Sequence, residues 1–271
     1  MRLHHIKITG LLFLVALFIG CASSQMAEQE AGRSYVQGTG NELRVGVTPD
    51  HPPIIFKQNE AITGVEADMA KNLAEELKLH VRFVVLPWED QISALLDSRI
   101  DIIMSGMSVT KAREVRIAFA EPYLKSGLVA AMRAEDAKKY SSKDSILNGY
   151  VTVGAVKDTT DDVFVKRSFP NAVRKTFQPN PKDGVNEIKR RAIDIFVYDA
   201  PSVVWLVSEN EADITAFWEP LTEEYLAWGV RKGDENLLKD VNGILQRWKQ
   251  DGTLNGILEK WLPVEYLKRI H

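Results

Sequence analysis

The 271-residue chain has a single cysteine, Cys21, so no disulfide can form within it. A large excess of either charge is also lacking. Its 34 Lys and Arg stand against 37 Asp and Glu, a net charge of −3, with no basic cluster interleaved with aromatics. Nucleic acid is therefore not an expected partner. The five histidines show no metal-ligand spacing, and neither a metal nor another cofactor is expected. The apolar run LLFLVALFIG at 11–20 is too short to cross a bilayer comfortably. With Arg2 and Lys7 ahead of it, residues 1–20 read as a secretory signal peptide. Removing them takes away two basic groups and no acidic one, so the mature chain is more acidic still. The chain as a whole, 45% apolar and 26% charged, has the composition of a soluble globular protein with room for one large domain or two ordinary ones.

Residues 22–41, rich in Ser, Gln, Glu and Gly, lack apolar periodicity and read as a flexible tether. Residues 43–47 alternate and enter a turn region at 49–53, as a strand running into a loop does. Met69, Leu73 and Leu77 recur every four residues with Ala70 and Ala74 beside them, one face of an amphipathic helix. Residues 81–85 read as strand, Ile92, Leu95 and Leu96 mark a helix, and 100–104 is strand again. This alternation implies a parallel sheet with right-handed crossovers. It then repeats, with strands predicted at 151–156, 173–177 and 193–198 and helices at 160–168, 185–192 and 200–209. Two such units predict two lobes. The apolar runs 127–133 and 225–231, ending in Arg133 and Arg231, are expected as extended crossovers between them, and 237–262 as a helical tail broken at Gly252.

The most informative stretch is DIIMSGMSVTKAREVRIAFAEPY at 101–123. A strand end here runs into Ser105, Gly106 and Ser108, then reaches Thr110 and Arg113. Exposed backbone N–H groups and hydroxyls at a sheet edge suit a ligand, and an arginine adds a planar fork suited to a carboxylate. The chemistry on offer is anion capture; no acid–base or nucleophilic pair is visible in the stretch.

SGMSVTKAR followed by AFAEPY resembles the signature of bacterial extracellular solute-binding proteins of the amino-acid class, the receptors of ABC importers. Upstream, LRVGVTPDHPP, TGVEADMAKNLAEEL and PWEDQISALLDSRIDIIMSGM follow the same pattern in order. Downstream, VGAVKDTT, DIFVYDAPS and LLKDVNGILQRWKQDGTLNGILEKWL continue it, so that the resemblance covers residues 43–262. It implies an α/β, two-lobed periplasmic-binding-protein type II fold, each lobe a mixed, mainly parallel sheet flanked by helices, with two crossover hinge strands. Residues 42–128 with 229–271 form lobe 1 in this reading and residues 129–228 lobe 2, the helical tail returning to lobe 1.

The resemblance also implies roles. Arg113 grips the α-carboxylate of a ligand, with Ser108 and the backbone around Gly106 completing the shell; such charge-assisted hydrogen bonds contribute about 1.5–3 kcal/mol each. Read alone, the same arginine could equally be a surface residue paired with Glu114 or Glu121. Thr110 shapes the loop or caps a helix starting near Lys111. Asp199, ending the strand IDIFVYD, is implied to bind the α-amine, and by residue type it also suits an N-cap before Ala200-Pro201. Trp88 matches an aromatic wall of the site, with ordinary core packing as the alternative. Thr159 and Thr160 match paired threonines at a strand-to-helix turn, where hydroxyls and N–H groups meet a ligand oxygen. Several residues depart from the pattern. Asp158 stands for the usual glycine, and Thr48 stands where basic-amino-acid binders carry Asp. His51 replaces an aromatic lid residue, either contacting ligand or exposed on a loop. Asp161 and Asp162 suit a helix start or a basic ligand side chain.

Cys21, directly after Gly20, is similar to a bacterial lipoprotein processing site, although Phe18 occupies the place where that pattern prefers Leu. A lipidated Cys21 anchors the mature protein to a membrane without a spanning helix. The expected protein is a monomeric, membrane-anchored lipoprotein in the periplasm or at the cell surface. It closes on a zwitterion between Arg113 and Asp199 and delivers it to an ABC transporter permease. Two competing readings keep the same fold: a cyclohexadienyl dehydratase-like enzyme drawing an acid or base from Asp161, Asp162 or His51, and a ligand-sensing module. No motif marks a catalytic residue, and no enzyme activity is expected.

Overall fold

The computed structural model describes residues 40–178 and 181–270. The expected signal peptide, Cys21 and the tether up to residue 39 lie outside the described residues.

Two five-stranded sheets organise the chain. In the first, β1 (Glu42–Val47) pairs in parallel with β5 (His80–Val85) on one side and β6 (Ile102–Ile103) on the other. β15 (Gly229–Val230) and β7 (Ala118–Phe119) extend it in antiparallel fashion, giving the order β5-β1-β6-β15-β7. In the second, β10 (Thr152–Val156) lies in parallel between β11 (Val173–Phe177) and β12 (Ile195–Asp199). β9 (Leu128–Arg133) and β13 (Ile214–Phe217) follow antiparallel, giving β11-β10-β12-β9-β13. Both sheets thus share one plan, the repeat legible in the sequence. The helices between parallel strands are α1 (Val65–Glu76) and α2 (Gln91–Leu96) on the first sheet, α5 (Thr160–Ser168) and α6 (Pro181–Lys189) on the second. α3 (Lys111–Arg116) follows β6, α4 (Lys143–Leu147) precedes β10, and α7 (Ala200–Ser208) continues directly from β12.

Burial explains the placement. All five residues of β12 are buried, as a central strand requires, whereas four of the five in β11 are exposed. That edge carries Arg174 and Lys175, charges that discourage pairing with a further strand. In the first core, Val45 and Val47 of β1 meet Val65, Met69 and Leu73 of α1. The same core takes Leu237, Val241, Leu245 and Trp248 from α8 (Glu235–Asp251) and Leu254 and Leu258 from α9 (Thr253–Trp261), so the helical tail returns to the first sheet. The tail breaks at Gly252, whose φ of 87° lies in the left-handed region open to glycine.

The crossovers differ from expectation. The strands that pair between the sheets are β8 (Leu124–Ser126) and β14 (Glu224–Leu226). Residues 128–133, expected as a crossover, form the inner strand β9, buried along its whole length because it has a partner on each side. Gly127 makes the exit from β8 possible: a Cβ there would lie 2.2 Å from the Thr222 carbonyl oxygen. Trp228, grouped by the sequence with the second lobe, packs in the first core, stacked at 5.8 Å on Tyr123 and edge-on to Trp248 at 6.2 Å. A three-stranded meander of β2 (Asp50–His51), β3 (Ile55–Gln58) and β4 (Ala61–Thr63) had no sequence forecast.

One buried carboxylate ties the first sheet together. Asp101 Oδ2 accepts from the Arg44 backbone N–H at 2.9 Å and from Nε at 3.0 Å, and its Oδ1 accepts from Arg44 Nη2 at 2.7 Å. Arg231, just past β15, approaches the same carboxylate at 3.7 Å and donates to the Ile100 carbonyl at 2.7 Å. Removing one partner leaves buried charge uncompensated. Asp101→Ala is expected to destabilise the fold by about 3–5 kcal/mol, read as a lower urea midpoint. An unchanged midpoint would show that this cluster does not brace the sheet.

Candidate functional site

The carboxyl ends of β1, β5 and β6 face those of β10 and β12 across a cleft with about 420 Å³ of free space, counting solvent at its mouth. Strand ends in open α/β sheets present loops and helix starts rather than paired backbone, which is why ligands gather there. Several contacts join the two sides. Trp88 Nε1 donates to the Asp158 carbonyl at 3.1 Å, Ser202 Oγ donates to the Pro52 carbonyl at 2.6 Å, and the Phe56 and Trp205 rings lie 5.6 Å apart.

On the first side, Thr110 is extended and its Oγ1 accepts from the Arg113 N–H at 3.2 Å, capping α3. Arg113 Nη1 donates to the Ser108 carbonyl at 2.7 Å, and the guanidinium carbon lies 5.2 Å from the centre of the Trp88 ring. The surface pairings open to it by sequence are taken: Glu114 pairs with Lys111 and Glu121 with Lys249. Burial disfavours the Arg113 charge, and the nearby carboxylates of Glu224, Asp199 and Asp161 favour it.

Gly106 has a φ of 67°, and a Cβ there would meet His51 Nδ1 at 2.9 Å. Its N–H donates to Glu66 Oε2 at 2.6 Å. Glu66 is fully buried on α1, and burial pushes its carboxyl up to about 8, moderated by Gly106, Tyr123 and Trp228. Sequence reading passed over it, though it falls on the apolar stripe of Met69, Ala70 and Leu73, where a carboxylate calls for a partner. Thr48 is committed to the scaffold: its N–H donates to Ser105 Oγ at 2.8 Å, its hydroxyl donates to the Leu86 carbonyl at 2.9 Å, and it accepts from Gln91 Nε2 at 2.9 Å.

On the second side, Asp158 takes a φ of 62°, the conformation its usual glycine would have, which Asp tolerates better than most residues. Thr159 Oγ1 donates to the Val156 carbonyl at 2.7 Å and touches the Asp161 carboxyl. Asp161 is fully buried beneath this turn, its Oδ2 accepting from the Val156 N–H at 2.7 Å, and burial raises it to about 7. Asp162 pairs with Arg174. The acidic pair thus braces the helix start. Thr160 Oγ1 donates at 3.0 Å to Glu224 Oε2 from the hinge strand β14, a residue no sequence signal singled out.

Asp199 occupies the N-cap position of α7 yet makes no side-chain capping bond. It is buried, Oδ1 has no hydrogen-bond partner, and Oδ2 lies 3.7 Å from His51 Nε2. Burial, reinforced by Glu224 and Asp161, pushes its carboxyl well up, and Arg113 pulls it back. His51 is buried rather than exposed on a loop; desolvation lowers it to about 4, so it is neutral near pH 7. Its ring lies 5.2 Å from Tyr198.

Arg113, Ser108, Gly106, His51 and Trp88 therefore line one cleft together with Thr159, Thr160 and Asp199. Asp50 and Tyr198, which sequence reading did not name, line it too. Cys21 lies outside the described residues. A cation on one wall and a carboxylate on the other match a ligand with both charges.

The family model of bacterial extracellular solute-binding proteins, family 3, matches residues 43–264. The chain belongs to that family. This solute-binding protein is 23% identical over 269 residues to the L-cystine-binding protein TcyJ of Escherichia coli (strain K12), covering 99% of this chain and 100% of that one. It is 24% identical to the ABC transporter glutamine-binding protein GlnH of Bacillus subtilis (strain 168), over 93% of this chain and 94% of the relative. Among solved structures, the ancestral amino acid-binding protein AncCDT-1, described as a precursor of cyclohexadienyl dehydratase, matches with 33% identity and a TM-score of 0.76, covering 82% and 96% of the two chains. A binding component of an ABC transporter from Wolinella succinogenes DSM 1740, complexed with lysine, matches at 27% identity and a TM-score of 0.80, over 85% and 100%. These neighbours share the two-lobed type II fold. Among the described residues no helix is long and apolar enough to cross a membrane.

Glu66 makes the stability of the fold depend on pH. Its carboxyl keeps a proton to about 8 when folded and releases it near the ordinary 4.5 when unfolded. The folded state thus binds more protons between those values, and this contribution to stability falls as pH rises. Urea unfolding from about pH 5 to about pH 8 is expected to show wild type losing at least about 1 kcal/mol more than Glu66→Gln. Equal losses would assign the buried proton elsewhere.

Proposed function

We propose that this chain is an extracytoplasmic receptor that binds a small amino-acid-like zwitterion between two lobes and delivers it to an ABC transporter. One lobe is built on the first sheet and takes Trp228 and the helical tail, the other on the second sheet, and β8 and β14 join them. The observation that carries the reading is the placement of Arg113 and Asp199, of opposite charge, on different sheets but one cleft, with Asp199 Oδ1 lacking a protein partner. Relatives described as binding cystine, glutamine or lysine support it. The α-carboxylate lies on Arg113, Ser108 and the N–H groups of their loop; the α-ammonium lies on Asp199; Trp88 and His51 form walls, with Thr159 and Thr160 at the second rim. A ligand that satisfies groups on both lobes favours their closed arrangement, by no more than its difference in affinity for the two forms. The closed form docks on a permease. Lipid on Cys21 holds the monomer to the membrane at the periplasmic or outer face.

The role is binding, not turnover. Of the acid–base candidates, Asp161 is committed to Val156 and Thr159, and Asp162 to Arg174. The remaining pair, His51 and Asp199, faces the seat of the ammonium. Incubation with prephenate or arogenate is expected to leave both unchanged; product formation would favour the enzyme.

The direct test is calorimetry on mature protein stripped of ligand by unfolding and refolding, titrated with L-amino acids, polyamines and small carboxylates. A zwitterion is expected to bind, and Arg113→Ala to weaken it roughly 100-fold or more. Binding of no zwitterion, or unchanged binding by Arg113→Ala, would sink the reading. Uptake should also release protons, because the ammonium pulls down a carboxyl that burial holds up. The apparent enthalpy is then expected to vary with the ionisation enthalpy of the buffer; an invariant enthalpy would mean that Asp199 is already ionised.

A further inference from the structure

The charges lining the cleft do not balance when a zwitterion takes its place. Arg113 is the cation among the lining residues, and two carboxyl groups line the same cleft, Asp199 and Asp50. Asp50 lies on β2 beside His51 and is half-buried. Among the described residues no ion pair involves it; its own backbone N–H favours its charge, and burial raises it to about 7. Asp199 responds to Glu224, Asp161 and Arg113, whereas burial alone raises Asp50. The two carboxyl groups thus respond to different surroundings, and the Tyr198 hydroxyl feels both. Thr48 cannot take over as a reader of ligand charge, since its hydroxyl is engaged by Leu86 and Gln91.

A zwitterion compensates Arg113 and Asp199 and leaves Asp50 without a counter-charge, to be desolvated as an anion or to take up a proton, either of which costs free energy that a cation on the ligand would spare. A second positive charge on the ligand removes the mismatch. We propose that Asp50 is the specificity-determining residue for the ligand side chain, and that the site takes amino acids whose side chain ends in an ammonium or guanidinium group. This rests on the zwitterion reading above and narrows it.

The test compares L-arginine with L-citrulline, its uncharged near-isostere, and L-lysine with L-glutamine, by calorimetry on the ligand-stripped mature protein. Wild type is expected to prefer the charged member of each pair by roughly 10- to 100-fold. Asp50→Asn is expected to shrink both ratios to within about threefold while retaining affinity for the neutral member. Asp50→Ser, a smaller replacement, should repeat the result, and thermal melting of both variants reports their folding. Equal affinity of wild type for charged and neutral members would overturn the proposal and leave the zwitterion receptor standing. So would parallel loss of both members in folded variants. Binding of no amino acid at all would overturn both readings together.

Discussion

One guanidinium set among carboxylates from separate parts of the chain is the constraint on which the site depends. Arg113 sits on α3, while Asp199 ends β12, Asp161 lies in α5 and Glu224 belongs to the hinge strand β14. Each of the three favours the arginine charge, and burial opposes it. In a poorly solvated cleft, such attraction offsets desolvation only when geometry is good and the remaining donors are bonded. The geometry comes from short-range chemistry: Thr110 caps the helix, the Ser108 carbonyl accepts one guanidinium nitrogen, and Trp88 offers its ring face. Without the arginine, the carboxylates would repel one another across the cleft.

A second layer keeps that arrangement rigid. Glu66 holds the Gly106 N–H, Asp161 holds the turn after β10, and Glu224 takes the Thr160 hydroxyl. Two of these carboxyls are fully buried, and burial alone would make them costly. Backbone donors offset part of that cost, and a raised proton affinity removes more of it. The result is a cleft lining held in position by the protein's own bonds, a condition for binding without a large ordering penalty.

Much of this was legible in the residues. The apolar periods at 69–77 and 193–198 mark α1 and β12 because each element buries one face, or all of its length, along a run long enough to show a period. The N-cap at Thr110 and the break at Gly252 are local chemistry and read as such. The eight cleft residues within the described chain could be named because their strand ends and turns are contiguous motifs. Glu66 was legible in principle as a carboxylate on an apolar stripe. By contrast, β8 and β14 are three residues each, too short for any period. The hinge and its Glu224 were therefore misplaced or missed, and Trp228 was grouped with the wrong core.

By itself the sequence determined the repeated α/β plan, the cleft-forming strand ends and the family, since these depend on residues close together in the chain. The tertiary structure decided what depends on distant residues sharing a space. It buried His51 and turned Asp199 away from capping. It set Asp161 beneath a turn and committed Thr48 to the scaffold. It also brought Asp50 to the cleft that Arg113 and Asp199 share. Charge balance inside a cleft is a property of all the groups that line it, and no local stretch of chain contains them all.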